Sequence, residues 1–85
     1  MVNVTMYGTR TCSFCRRAEE YLKRKGVTRI DKTLVDMQPG SLDAMITRTG
    51  RRTVPQIFIG EVHVGGYDDL VNLGRSGRLD ELLAV

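Results

Sequence analysis

Cys12 and Cys15 are the only cysteines in the chain, separated by Ser13 and Phe14. Two thiols three positions apart at the start of a helix are neighbours on its surface, at a separation that disulfide geometry accepts. The ring they close is small, so the bond removes little chain entropy and contributes little as a staple. A tight ring is also easily reopened, which suits thiol–disulfide exchange. The competing chemistry is a zinc half-site. Zinc usually takes four ligands, and His63 is the one histidine present, so the redox reading is preferred. Cys12 is the expected nucleophile. At a helix start the unpaired N–H groups and the macrodipole favour an anion. Arg10, Arg16 and Arg17 add positive charge nearby, and both effects depress a thiol pKa. Cys15, one turn further in and expected to be more buried, is the resolving thiol.

The pair needs elements that hold it, and the chain has room for one set. Eighty-five residues make a single domain, 1–85, with no second core. A hydrophobic fraction of 41% with 27% charged residues excludes a disordered chain. A net charge of +3 mildly favours a small anionic substrate and is too scattered to argue for nucleic acid. No basic segment followed by an apolar run opens the chain, and no apolar run approaches a membrane span. The expected location is therefore the cytoplasm, with no membrane partner.

Val2, Val4 and Met6 alternate with polar neighbours, the pattern of a strand, and Gly8 to Thr11 turns into the cysteine pair. Cys15, Ala18, Tyr21, Leu22 and Lys25 keep helical spacing up to a stop at Gly26. The β-branched alternation from Val27 to Asp36 predicts a second strand. Leu42, Met45 and Ile46 mark one face of a short helix ending at Gly50. Ile57-Phe58-Ile59 and Val62-His63-Val64 predict a hairpin about Gly60-Glu61. Helical periodicity then runs from Tyr67 to Leu83, broken near Gly74 to Gly77. Leu22, Ile46, Leu70 and Leu73 are expected core, and Lys23-Arg24-Lys25 a solvated helix end. The order is βαβ-α-ββ-α, an α/β fold with a four-stranded mixed sheet flanked by helices. A Cys-x-x-Cys beside a βαβ unit carries a thioredoxin-like redox reading.

Three segments resemble the glutaredoxin family, in order and at matching separations. Val4 to Tyr7 followed by Thr11-Cys12-Ser13-Phe14-Cys15-Arg16-Arg17-Ala18 resembles its active-site segment. Thr53-Val54-Pro55-Gln56-Ile57-Phe58-Ile59 is similar to its cis-proline segment, and His63-Val64-Gly65-Gly66-Tyr67-Asp68-Asp69-Leu70 to its glutathione-binding turn. The similarity runs over essentially the whole chain and is strongest to the short bacterial class-I dithiol members. It implies a thioredoxin-like fold and a glutathione-dependent oxidoreductase, with glutathione as reductant and co-substrate. Implied substrates are disulfide-containing and glutathionylated proteins, with glutathione reductase and NADPH as indirect partners. The implied roles are electron transport and cell redox homeostasis, and the expected state is a monomer.

The resemblance also implies site residues. X–Pro bonds are cis in only about 6% of cases, but the family pattern implies a cis bond before Pro55. That bond would turn the Val54 backbone toward the cysteines, where glutathione could pair as an added strand alongside Thr53, Val54 and Pro55. Gly66 would allow close backbone approach and the helix start at Tyr67 would offer N–H donors for the γ-glutamyl carboxylate, with Asp68 or Asp69 for its ammonium. An aspartate there is also an ordinary helix N-terminal partner, and one can do both jobs. Phe14 is expected on the rim, where the family usually carries tyrosine. His63 is read as a hairpin side chain without catalytic duty.

Three departures bear on function. Ser13 follows the first cysteine where many dithiol members have proline. Gly8-Thr9-Arg10 stands where a lysine often occurs, leaving Arg10 to contact the glycyl carboxylate. Tyr67 stands where some members carry an extra cysteine. Ser13 keeps a second function class open: a dimeric carrier in which Cys12 and glutathione ligate an iron–sulfur cluster, Cys12 being the protein's ligand to it. A brown colour after anaerobic purification would distinguish it. An electron donor reduced by thioredoxin reductase ranks lower, because the stretch from Gly65 to Asp69 suits glutathione.

Overall fold

The computed structural model describes residues 2–84; Met1 and Val85, the outermost residues of the expected domain, lie outside them. The elements run β1 (Val4–Gly8), α1 (Ser13–Arg24), β2 (Asp31–Leu34), α2 (Ser41–Thr49), β3 (Gln56–Ile59), β4 (Val62–Gly65), α3 (Tyr67–Ser76) and α4 (Arg78–Leu83). One sheet holds the strands in the order β2-β1-β3-β4. β1 and β2 are parallel, joined by α1 as the crossover, and the remaining pairs are antiparallel. This is the mixed sheet and thioredoxin-like architecture expected. Among the described residues no helix is long and apolar enough to cross a membrane.

Alternation decides which side chains meet. Val4 and Met6 of β1 and Ile57 and Ile59 of β3 point to one face, where Ala18 and Leu22 of α1, Leu70 of α3 and Leu79 of α4 close the core. Phe58, between the two isoleucines, points to the other face. There the Arg48 guanidinium of α2 lies 3.8 Å from its ring centre, and Tyr7 meets the ring edge-on at 6.3 Å. Both faces of β3 are covered, so all four of its residues are buried.

Several expectations need correction. The second strand is Asp31–Leu34, shorter than Val27 to Asp36. Val27 belongs instead to the end of α1: its N–H donates to Leu22 O at 3.0 Å while the Gly26 N–H donates to Lys23 O at 3.0 Å. That is a Schellman cap, with Gly26 at φ +95° supplying the left-handed step. Val27 and Ile30 still pack against the core, so their apolar character reflects packing without ladder pairing. Downstream, the Met37 and Gln38 N–H groups both fold back to Leu34 O, ending the strand before Asp36.

Of the expected face on α2, only Met45 is fully buried; Leu42 is exposed and Ile46 half-buried. Leu73 is likewise half-buried, while Leu22 and Leu70 are core as expected. The C-terminal helical stretch is two helices that meet at Gly77, with φ +82°. Gly74 stays within α3. The hairpin turns at Gly60-Glu61, but β4 continues to Gly65 because its register with β3 shifts: Phe58 faces His63 and Ile57 faces Gly65.

Candidate active site

Cys12 is the N-cap of α1. Its φ and ψ of −83° and 109° are extended, and its Sγ accepts the Cys15 N–H at 3.0 Å. Ser13 follows at the first helical position. The first turn of α1 contains no acidic residue and holds Arg16. With Arg17 beside it, that arrangement works against the helix macrodipole but favours an anionic sulfur at the cap. Cys12 and Cys15 are joined as a disulfide with Cα atoms 5.2 Å apart, within the range such a bond requires. Cys15 is buried and Cys12 half-buried, the asymmetry expected of resolving thiol and nucleophile. A Cβ on Gly8 would stand 3.1 Å from Cys15 Sγ, so the glycine ending β1 leaves room for the inner sulfur.

The Val54–Pro55 bond is cis, and Val54 O lies 3.9 Å from Cys12 Sγ. Beginning at this backbone, a groove of about 230 Å³ is lined by Phe14, Arg51, Thr53, Val54, Pro55, Gly66, Tyr67, Asp68 and Asp69. Eight of these nine are residues expected from sequence. The Phe14 and Tyr67 rings, 6.1 Å apart, form its aromatic wall. Arg17 lies 5.5 Å from the Phe14 ring centre, close enough for a cation–π contact.

The two aspartates differ. Asp69 Oδ2 accepts the Gly66 N–H at 2.9 Å and an Arg51 Nη1 hydrogen bond at 3.1 Å. The Gly66 hydrogen bond, seconded by Arg51, holds its carboxyl below the usual range against the opposing effect of burial. Gly65 makes this approach feasible: its φ is +109°, and a Cβ there would collide with the Asp69 carboxylate. Asp68 is exposed at the groove.

Arg10 does not join this groove. It lines a second cavity of about 340 Å³ that reaches both Cys12 and Cys15, with Arg16, Glu19 and Lys32. Its Nε donates to Asp36 Oδ2 at 2.9 Å and its backbone N–H to the same oxygen at 3.4 Å. The Arg10 hydrogen bond keeps the Asp36 carboxyl below its ordinary value. Arg51, which does reach the groove, was not singled out from sequence; its only signal was a cation two positions before Thr53. His63 is also more engaged than expected, since its Nε2 lies 2.8 Å from Gln56 Oε1 and its ring stacks on Phe58.

A cap-held cysteine, an inner partner and a backbone edge facing the outer sulfur can exchange disulfides, and the chain is similar to known proteins. The glutaredoxin family model matches residues 4–64. A glutaredoxin of Neisseria meningitidis is 47% identical over 98% of both chains. Glutaredoxin 3 of Escherichia coli is 46% identical over 98% of this chain and 99% of its own. The crystal structure of a buckwheat glutaredoxin–glutathione complex superposes with a TM-score of 0.88 at 28% identity, covering 98% of this chain and 77% of that one. The chain belongs to the glutaredoxin family, a family of thiol–disulfide oxidoreductases.

Proposed function

We propose that this oxidoreductase is glutathione-dependent, reducing protein disulfides and mixed disulfides between glutathione and proteins. The observation that carries this reading is the groove running from the Val54 backbone beside Cys12 to the first turn of α3. Its shape and donors suit a short peptide with charged ends. Glutathione's cysteinyl backbone pairs with Val54 as an added strand, which brings its sulfur to Cys12. The N–H groups at the start of α3 receive the γ-glutamyl carboxylate, and the exposed Asp68 faces its ammonium. Phe14 and Tyr67 wall the site, and Arg51 supplies the cation for a glutathione carboxylate. The buckwheat relative crystallised with glutathione supports the same ligand here.

The Cys12 thiolate, stabilised by the Cys15 N–H and the helix terminus, attacks the glutathione sulfur of a mixed disulfide. The Cys12–glutathione bond forms, the protein–glutathione bond breaks, and the protein leaves as thiolate. A second glutathione thiolate then attacks that glutathione sulfur, releasing Cys12 and glutathione disulfide. With a protein disulfide, Cys12 first forms a mixed disulfide with the protein. Cys15 then attacks Cys12 and expels the protein dithiol, leaving the Cys12–Cys15 bond for two glutathiones to reduce.

The test is turnover of a small glutathione mixed disulfide, coupled to glutathione reductase and NADPH. Wild type and Cys15→Ser should turn over, and Cys12→Ser should not. Cys15→Ser should fail on protein disulfides. Absence of wild-type turnover with both thiols reduced, or equal loss in the two variants, would overturn the assignment.

A further inference from the structure

Gln56 is the one fully buried polar side chain among the described residues, and it stands at the first position of β3, directly after Pro55. An unpaired buried amide is costly, and this one is fully paired. Its Nε2 donates to Thr53 O at 2.9 Å and to Thr53 Oγ1 at 3.3 Å. With its hydrogens directed at Thr53, Oε1 must accept, so the His63 nitrogen 2.8 Å away is the protonated one. The imidazole is held in turn by stacking on Phe58, with ring centres 4.9 Å apart and planes 29° apart. Phe58 is clamped from its other neighbours by Arg48 and Tyr7.

Neither Gln56 nor His63 lines the groove. The chain of hydrogen bonds ends on the carbonyl and hydroxyl of Thr53, one residue before the Val54 carbonyl that faces Cys12 Sγ. A leucine would fill the volume of Gln56 without needing polar partners, so what the amide adds is direction. We propose that His63 and Gln56 are positioning residues, anchoring the Thr53–Val54 backbone on the buried sheet so that its edge is preset for glutathione. This rests on the glutathione assignment above. The edge need not be ordered when ligand arrives, so the anchoring lowers the cost of binding.

The test compares wild type, Gln56→Leu, His63→Leu and the double variant in steady-state turnover of a small glutathione mixed disulfide. Gln56→Leu should raise KM about tenfold, equivalent to about 1.4 kcal/mol of binding, with kcat within about twofold, because ground and transition states lose the same contacts. His63→Leu should raise KM about threefold, and adding it to Gln56→Leu should change nothing further, the signature of one coupled unit. Stoichiometric reduction of insulin by the prereduced variants, which needs no glutathione, should match wild type. A fall in melting temperature with unchanged KM would make the network merely structural and overturn the proposal; so would additive KM effects or impaired insulin reduction. If Gln56→Leu does not fold, His63→Leu decides alone: its KM must rise and its Val54 amide resonance must shift. Failure of wild type to turn over glutathione substrates is a different result, which removes the underlying reading.

Discussion

Asp68 and Asp69 are chemically identical neighbours with different duties. Asp69 is committed inward, to the Gly66 N–H and Arg51, while Asp68 stands exposed at the groove. Replacing Asp69 by alanine removes a helix N-terminal partner and should cost about 1 kcal/mol of stability, seen as a lower urea midpoint. Asp68→Ala should leave that midpoint in place and raise KM for a glutathione mixed disulfide about fivefold, the size of a partly screened ionic contact. The reverse pattern would exchange their roles. Sequence reached the pair but not the division, because residue type does not reveal which carboxylate turns back to its own cap. The same limit applies to the arginines. Arg10 is nearest Cys12 in sequence but pairs with Asp36 and lines the cavity beyond the groove, whereas Arg51, far off in sequence, enters the groove through the fold. The cysteines were legible because dithiol exchange demands that spacing, whereas Phe14 and the Thr53–Pro55 segment were reached through the family resemblance, since a proline alone does not announce a cis bond.

Helix–helix packing reverses an argument from local propensity at Gly74. A glycine inside a helix is about 1 kcal/mol less favourable than alanine, so α3 alone would gain from Gly74→Ala. In the fold, a Cβ at Gly74 would run into the Tyr21 hydroxyl of α1 and stand 2.9 Å from the ring carbon that bears it. The glycine therefore sets how closely α1 and α3 approach, and α1 is the helix that presents both cysteines. We expect Gly74→Ala to destabilise by about 1–3 kcal/mol through overpacking. Combined with Tyr21→Phe, which removes the nearest atom, it should cost less than alone. A rise in the urea midpoint on Gly74→Ala would show that propensity outweighs the contact. The elements themselves were largely legible where periodicity and a stop signal agreed, as in α1 with Gly26 and the hairpin at Gly60. Legibility failed where an apolar residue packs without pairing. Val27 and Ile30 look like strand residues because they are β-branched and partly buried, yet the Schellman end of α1 takes the Val27 N–H. On α2, apolar spacing marked three residues, but the second face of the sheet fully covers Met45 alone.

Across the whole molecule, ion pairs tie together segments far apart in sequence. Arg10 meets Asp36, Lys32 meets Glu19 at 2.9 Å, and Arg51 meets Asp69. Each pair is substantially exposed and is a weak tie on its own. Together they give stability a pH profile whose sign can be worked out. Glu19 is lowered chiefly by its hydrogen bond to Lys32, Asp36 by Arg10, and Asp69 by the Gly66 N–H. For a carboxylate depressed in the fold, the unfolded chain binds protons first as pH falls, so stability is full above the unfolded value and lost below it. His63 follows the same sign for another reason. Burial disfavours its imidazolium, followed in weight by the charge of Arg51, placing it below 6.5 in the fold. The urea midpoint of the oxidised protein should therefore be level above pH 7. It should begin to fall below the ordinary histidine value of 6.5 and fall again below the ordinary glutamate value of 4.5. His63→Leu should erase the upper step and leave the lower one. Sodium chloride at about 0.5 M should shrink the lower step by screening exposed pairs. It should leave most of the upper step, because desolvation is not screened. An upper step that vanished with salt would mean that the neighbouring arginines, more than burial, keep the imidazole neutral.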